Sequence, residues 1–188
     1  AKGMDIDVDL TLGSGWPFGG SFVEDTMAPD ILVPLSHDAT GPCTFTFDYT
    51  CVLPGEIERV ALVRVKDGAL DASTARDITS CVQPTFIETW RWGSKLALEI
   101  PEGPHRVFTF VVQKSKQNIG KPSPNMQGLA FDHGRKEVSD FYFRTMGDAL
   151  IERLGRGRVR SFFCDSIELG GCNWTRPMLE EFEKRLGY

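Results

Sequence analysis

Met4, Ile6, Val8, Leu10 and Leu12 alternate with Asp5, Asp7, Asp9 and Thr11. A period of two is the signature of a β-strand with one polar face. Three aspartates on one face are costly to bury without partners, so this strand is expected at a sheet edge. It runs into Gly13-Ser14-Gly15-Trp16-Pro17-Phe18-Gly19-Gly20. The glycines suggest a phosphate cradle, but no Gly-Lys-Ser/Thr ending and no immediate helix follow. The third glycine is also misplaced for a dinucleotide fingerprint. The loop is expected to be a tight turn packed under Trp16 and Phe18, with sugar stacking on Trp16 as the minor alternative.

Residues 28–128 have a different texture. Pro29, Pro34, Pro42, Pro54, Pro84, Pro101, Pro104, Pro122 and Pro124 punctuate short apolar runs. Cys43, Phe45, Phe47, Tyr49 and Cys51 share one face; Thr44, Thr46, Asp48 and Thr50 share the other. Strands are also expected at 59–66, around Leu96, Leu98 and Ile100, and at 106–113. A turn is expected at 101–104 between the last two. Short strands with frequent turn signals predict an antiparallel β-sandwich, jelly-roll-like, of roughly 100 residues. The polar, proline-containing stretch 114–124 is expected to be an exposed loop.

From Leu129 the period becomes helical. Val138, Phe141, Tyr142, Thr145, Met146, Ala149, Leu150 and Leu154 form one face, beginning at Asp132 or His133 and closed by Gly155. Val159 and Phe162-Phe163-Cys164 then predict a short buried strand. An acidic, glycine-containing turn follows (Asp165, Glu168, Gly170, Gly171). A last helix is expected from Thr175, with Pro177 in its first turn and Met178, Leu179, Phe182 and Leu186 on one face, stopping at Gly187-Tyr188.

Outside the β-rich stretch the order is strand, helix, strand, helix. A crossover of this kind makes the two strands parallel, so the loops 13–20 and 165–174 should leave one end of the sheet, where α/β folds carry their chemistry. The fold class read from the sequence is therefore α+β. An antiparallel sandwich (28–128) is inserted into a partial α/β layer (1–27 and 129–188). That layer has about 90 residues against about 250 for a complete (β/α)₈ barrel, so an incomplete barrel is expected. Unpaired sheet edges imply covering or self-association.

A net charge of −5 without a long basic run argues against a nucleic-acid groove. No apolar run has the length of a membrane span, and the first residues lack the basic and apolar regions of a signal peptide. The chain has five cysteines. Cys43 and Cys51 on one extended strand stand roughly 26 Å apart, too far for a disulfide. Cys164 and Cys172 could meet only if their loop folds back. With no C-x-x-C pair, zinc and redox sites are disfavoured. Free thiols, mostly buried, are expected, a weak lean towards a reducing compartment.

Asp165 and Glu168 stand out chemically. Glycoside hydrolysis needs two carboxylates, and a spacing of three on a turn lets both face one cleft. The competing reading, slightly favoured by the residues alone, has Asp165 capping a turn and Glu168 solvated. The pair could also supply oxygen ligands to calcium, though without EF-hand carboxylate density. Asp132-His133 could form an oriented acid–base pair; more often such an aspartate caps the helix and the histidine lies on the surface. His37 and His105 are expected in solvent-facing loops, and Trp90 and Trp92 in sandwich core.

The stretch RVRSFFCDSIELGGCNWTRPMLEEFEKRLGY resembles glycoside hydrolase family 106, the α-L-rhamnosidases. So do GMDIDVDLTLGSGWPFGG and, in the middle, ALVRVKDGALDASTARDIT, LEIPEGPHRVFTFVV and GLAFDHGRKEV. The resemblance implies an internal segment of an enzyme that hydrolyses terminal α-L-rhamnosides with inversion, using two glutamates, assisted by calcium in some members. It implies a rhamnose-containing glycan as the partner. Glu168 would then be a catalytic or substrate-contacting carboxylate and Asp165 a supporting one. Gly15, Trp16, Asn173, Trp174 and His133 complete the expected sugar-binding set. No metal ligand, second glutamate or compartment is assigned: family members are often exported, and Leu169-Gly170-Gly171-Cys172 replaces a bulkier loop.

Overall fold

The computed structural model describes residues 8–49, 55–88, 91–164 and 166–187, with backbone alone at 84–88 and 91–93. In chain order the strands are β1 (Asp9–Thr11), β2 (Gly19–Gly20), β3 (Asp30–Asp48), β4 (Glu56–Lys66), β5 (Ala69–Asp77), β6 (Val82–Glu88), β7 (Arg91–Lys114), β8 (Leu129–Ala130) and β9 (Ser161–Phe163). The helices are α1 (Lys136–Tyr142), α2 (Ala149–Leu154) and α3 (Met178–Leu186). The chain forms two compact units, Ala1–Ile31 with Lys114–Tyr188, and Leu32–Gln113. Mostly antiparallel sheet with a few helices makes it an α+β protein.

In the second unit the sheet order is β3-β7-β4-β5, and β6 also pairs with β7. β7 uses 91–96 against β6 and 105–112 against β4, antiparallel in both cases. Leu96, Ile100 and Val107 pack with Tyr49, Val60 and Leu62 in one core, so β7 contributes from both sides of the 101–104 stretch. Cys43, Phe45 and Phe47 pack on this core while Thr44, Thr46 and Asp48 are exposed, as the alternation predicts. The Tyr49 and Thr109 hydroxyls share a buried 2.6 Å hydrogen bond.

The prolines do not end strands as expected. β3 runs 19 residues through Pro34 and Pro42, and β7 runs 24 residues through Pro101 and Pro104. The 101–104 segment does not reverse the chain, because β3 stays alongside on both sides of it. Thr44 donates to Glu99 at 2.7 Å before it, and Arg106 pairs with Asp38 at 2.6 Å after it. Gly103 takes φ +94, so the segment bends the strand without breaking it. His37 and His105 accordingly lie on strands: the His37 ring meets Phe47 at 4.1 Å, tilted by 39°, and His105 is 7% exposed. Thr50, Cys51 and Trp90 lie outside the described residues, and Trp92 has backbone only.

In the first unit β1 and β9 pair in parallel, Asp9 to Ser161 through Thr11 to Phe163. The polar face of β1 has partners: the Asp9 carboxylate accepts from Ser161 Oγ at 2.7 Å and Arg160 Nε at 3.0 Å. These bonds, Ser161 foremost, hold its pKa below the usual carboxylate value. Met4 to Asp7 lie outside the described residues. The helix that follows begins at Lys136, not at Asp132 or His133. It passes through a π-helical stretch at Phe143–Asp148 and ends after α2 at Gly155, φ +90. Val138 and Tyr142 are buried, whereas Phe141 and Leu154 are 39% and 40% exposed. An added residue in the π turn shifts the face beyond it, where Leu154 lies. α3 starts at Met178, with Glu180 and Glu181 in its first turn and Lys184 and Arg185 in its last, complementing the helix dipole. Its apolar face is not buried: Met178, Phe182 and Leu186 are 40–55% exposed.

The strand 161–163 is not buried, since Phe163 is 54% exposed. Of the described cysteines, Cys43, Cys81 and Cys172 are half-buried free thiols and Cys164 is exposed, so burial is not their common state.

The core of this unit is Leu12, Phe18, Val23, Phe131, Val138 and Tyr142. Tyr142 stacks on Phe131 at 4.4 Å and donates its hydroxyl to the Leu12 carbonyl at 2.7 Å. Gly19 pairs with Ala130 so closely that a Cβ would stand 2.1 Å from the Leu129 carbonyl oxygen. Burial pushes the Tyr142 phenol up from 10.0 to about 12. The unfolded chain loses this proton first as pH rises past 10.0, so the stabilisation is present below that and lost towards about 12. Tyr142→Phe is expected to lower stability by about 1–2 kcal/mol in urea unfolding at neutral pH. It should also flatten the alkaline loss of stability.

Candidate functional site

Because β1 and β9 are parallel, the chain leaves Thr11 and Phe163 at the same end of the pair. Gln117 braces the loop after β9 at two points. Gln117 Nε2 donates to the Glu168 carbonyl at 2.7 Å, and Gln117 Oε1 accepts from Gly170 N at 2.8 Å. The Ser166 hydroxyl donates to the Glu168 carboxylate at 2.7 Å, and that side chain is exposed. Asp165 lies outside the described residues. Gln117 belongs to the stretch expected as an exposed loop. Instead Ser115 and Ile119 are buried, 3% and 5% exposed, because the backbone of the stretch pairs with Pro29, Trp16, Gly128 and Ala130.

On the β1 side, a Cβ on Gly15 would stand 2.9 Å from Ile119 Cδ1 and 3.0 Å from the Gly120 carbonyl oxygen. Trp16 exchanges two backbone hydrogen bonds with Gly120, at 3.1 and 2.7 Å. Its half-buried ring meets Phe18 edge-on at 4.8 Å. The indole N–H is buried without a partner among the described residues.

Phe18 leads on to His133, whose ring lies nearly parallel to Phe131 at 4.0 Å and to Phe18 at 6.5 Å. His133 is half-buried, not a surface residue. Burial pushes its pKa below 6.5, opposed by the Phe131 carbonyl and the Asp132 charge. Asp132 does not cap the helix. Its carboxylate accepts from Gly134 N at 2.9 Å and from the Thr175 hydroxyl at 2.8 Å, joining the start of the helical segment to the turn before α3.

Trp174 pairs through its backbone with Asp30, 3.3 Å in both directions, and Asn173 is exposed. Asp30 is fully buried. Lys114 Nζ stands 2.9 Å from one carboxylate oxygen, at ion-pair distance but outside hydrogen-bonding geometry, and Arg176 Nε 3.7 Å from the other. The structure thus joins Trp16 to His133 through Phe18, Trp174 to Asp30, and Glu168 to Gln117. The sequence reading missed Gln117, Asp30, Lys114 and Arg176. A single polar residue with a distant partner carries no periodic signal. Among the described residues no group of three or more His, Cys, Asp or Glu could hold a metal ion. No described helix is long and apolar enough to cross a membrane.

Residues 57–188, more than two thirds of the chain, match the model of a glycoside hydrolase family, number 106, described as α-L-rhamnosidase. The chain belongs to that family. No curated protein and no solved structure matches it.

Two outcomes follow from the buried polar groups. Asp30→Ala leaves Lys114 and Arg176 facing each other without their anion; both are part-exposed and can turn to water, so the expected loss is about 1–3 kcal/mol by urea unfolding. His133 resists protonation in the fold, so the unfolded chain binds the proton first as pH falls below 6.5, and stability drops there. His133→Phe keeps an aromatic ring in the stack and should reduce the difference in urea midpoint between pH of about 7.5 and about 5.5.

Proposed function

We propose that this chain is a segment of an α-L-rhamnosidase-type glycoside hydrolase that contributes the strand-end carboxylate of Glu168, with Asp165 beside it, to the sugar site. The reading rests on the parallel β1–β9 register, which brings the loops after both strands to one end. It is supported by the exposed Glu168 carboxylate on a loop braced by Gln117. Gly15, Trp16, Asn173, Trp174 and His133 are the proposed sugar-binding residues, with a rhamnose-containing glycan as ligand. The β-rich unit is read as a jelly-roll-like sandwich inserted into a partial barrel layer.

An inverting hydrolysis needs a second carboxylate roughly 6.5–9.5 Å from the first. Asp30 and Asp132 are buried and engaged with Lys114, Arg176, Gly134 and Thr175, which disfavours both for that role. Among the described residues β1 and β9 each have one strand neighbour. We propose that their outer edges, flanked by exposed Phe163, self-associate. The commitment of Asp30 and Asp132 also favours a second reading, a noncatalytic carbohydrate-binding module.

An aryl α-L-rhamnoside assay separates the two, run beside sedimentation to follow association. The enzyme reading expects turnover that falls by on the order of a hundredfold or more in Glu168→Gln. A folded sample that binds rhamnose without turning over the aryl rhamnoside would overturn catalysis by this chain.

A further inference from the structure

A groove of about 390 Å³ in the second unit, remote in sequence from Glu168, is lined by residues including Leu62, Arg64, Ser73, Arg76, Pro101 and His105. It exists because β5 bulges. Leu62 opposes Arg76, but Arg64 already opposes Asp71, so Val63 alone faces the four residues 72–75. The bulge is built and not frayed. Thr74 Oγ1 accepts from Arg64 N at 2.9 Å and donates to the Asp71 carbonyl at 2.7 Å. The Asp71 carboxylate accepts from Ser73 N and Oγ at 3.2 and 2.6 Å. Bulges bend the strand and re-aim its side chains.

On the other side, register places His105 of β7 opposite Arg64. His105 is 7% exposed, and its Nδ1 lies 3.1 Å from the Gly103 carbonyl oxygen. That oxygen can only accept, so Nδ1 donates and Nε2 is the ring atom left for another partner. Arg64 Nη2 reaches the bend of β7, 4.0 Å from where a Cβ on Gly103 would stand. Among the described residues neither Arg64 nor Arg76 has a carboxylate at ion-pair distance, and Asp71, the nearest acid on the bulge, is turned to Ser73. In a chain of net charge −5, two arginines line one groove with no carboxylate at ion-pair distance among the described residues. Arginine's planar fork matches a carboxylate or phosphate. The apolar floor of Leu62 and Pro101 suits the C–H face of a sugar ring, and the volume falls within the range of small-ligand sites.

We propose that this groove is an oxyanion-binding subsite that takes the carboxylate of an acidic saccharide, gripped by Arg64 and Arg76. The proposal is independent of the reading of Glu168, and its test involves no turnover. The full chain would be titrated with glucuronate, with glucose, and with inorganic phosphate, following backbone amide shifts by NMR. Glucuronate should perturb amides of 62–76 and 103–106, more weakly at high salt, while glucose at the same concentration should not. Arg64→Gln and Arg76→Gln, with unchanged circular dichroism, should each weaken binding by on the order of tenfold. Glucuronate binding more tightly than phosphate would support the saccharide source; equal affinity would support the site but assign it to free oxyanions. No response to either anion, or a response that both substitutions leave undiminished, would overturn the proposal.

Discussion

A buried negative charge constrains the first unit more than any apolar contact. Asp30 has no exposure to water, and an unpaired carboxylate there would be prohibitively expensive. It is tolerated because Lys114 and Arg176 stand on either side of it. That requirement fixes where three distant stretches meet. Residue 30 pairs with Trp174 through the backbone, Ser115 N donates to the Pro29 carbonyl, and Lys114 Nζ donates to the Ala28 carbonyl. The turn before α3 and the end of β7 are thereby tied to the start of β3. Net stabilisation from such a pair is modest. Its consequence is positional: only one alignment of these stretches leaves no bare charge.

A second buried carboxylate, Asp132, extends the same logic. It ties Gly134 N and the Thr175 hydroxyl together, and its backbone N–H donates to the Met27 carbonyl at 2.8 Å. Next to it the stack of Phe18, Phe131, Tyr142 and His133 fills the space beneath the loop after β1. The packing is close enough that Gly13 is obligatory, since a Cβ there would stand 2.6 Å from the Tyr142 hydroxyl. The glycine-rich loop therefore serves packing first. Trp16, half-buried on this stack, gets its position from the core and not from the loop's own conformation.

The second unit shows how one strand can serve two partners. β7 pairs with β6 through its first part and with β4 through its last, while β3 accompanies it along both. Proline and glycine in the middle supply the bend. Where β5 bulges against β4, the sheet has instead used local hydroxyl and carboxylate bonds to hold an irregular wall.

Several features were determined by the sequence alone. The alternation from Cys43 to Tyr49, the helix ends at Gly155 and Gly187, the parallel relation of the two strands around the helical segment and the mixed α+β class all follow from local period and backbone preference. The family likewise is legible in the residues. Tertiary structure decided what depends on distant partners. Whether a proline ends a strand or bends it depends on the neighbour that continues beside it. Whether 114–124 lies in solvent depends on residues 16, 29 and 128–130 that take up its peptide groups. Glu168 is placed by Gln117, 51 residues away, and Asp30 by Lys114 and Arg176. Side-chain period encodes which face a residue shows. It does not encode which other segment meets that face, because that choice belongs to the assembled chain.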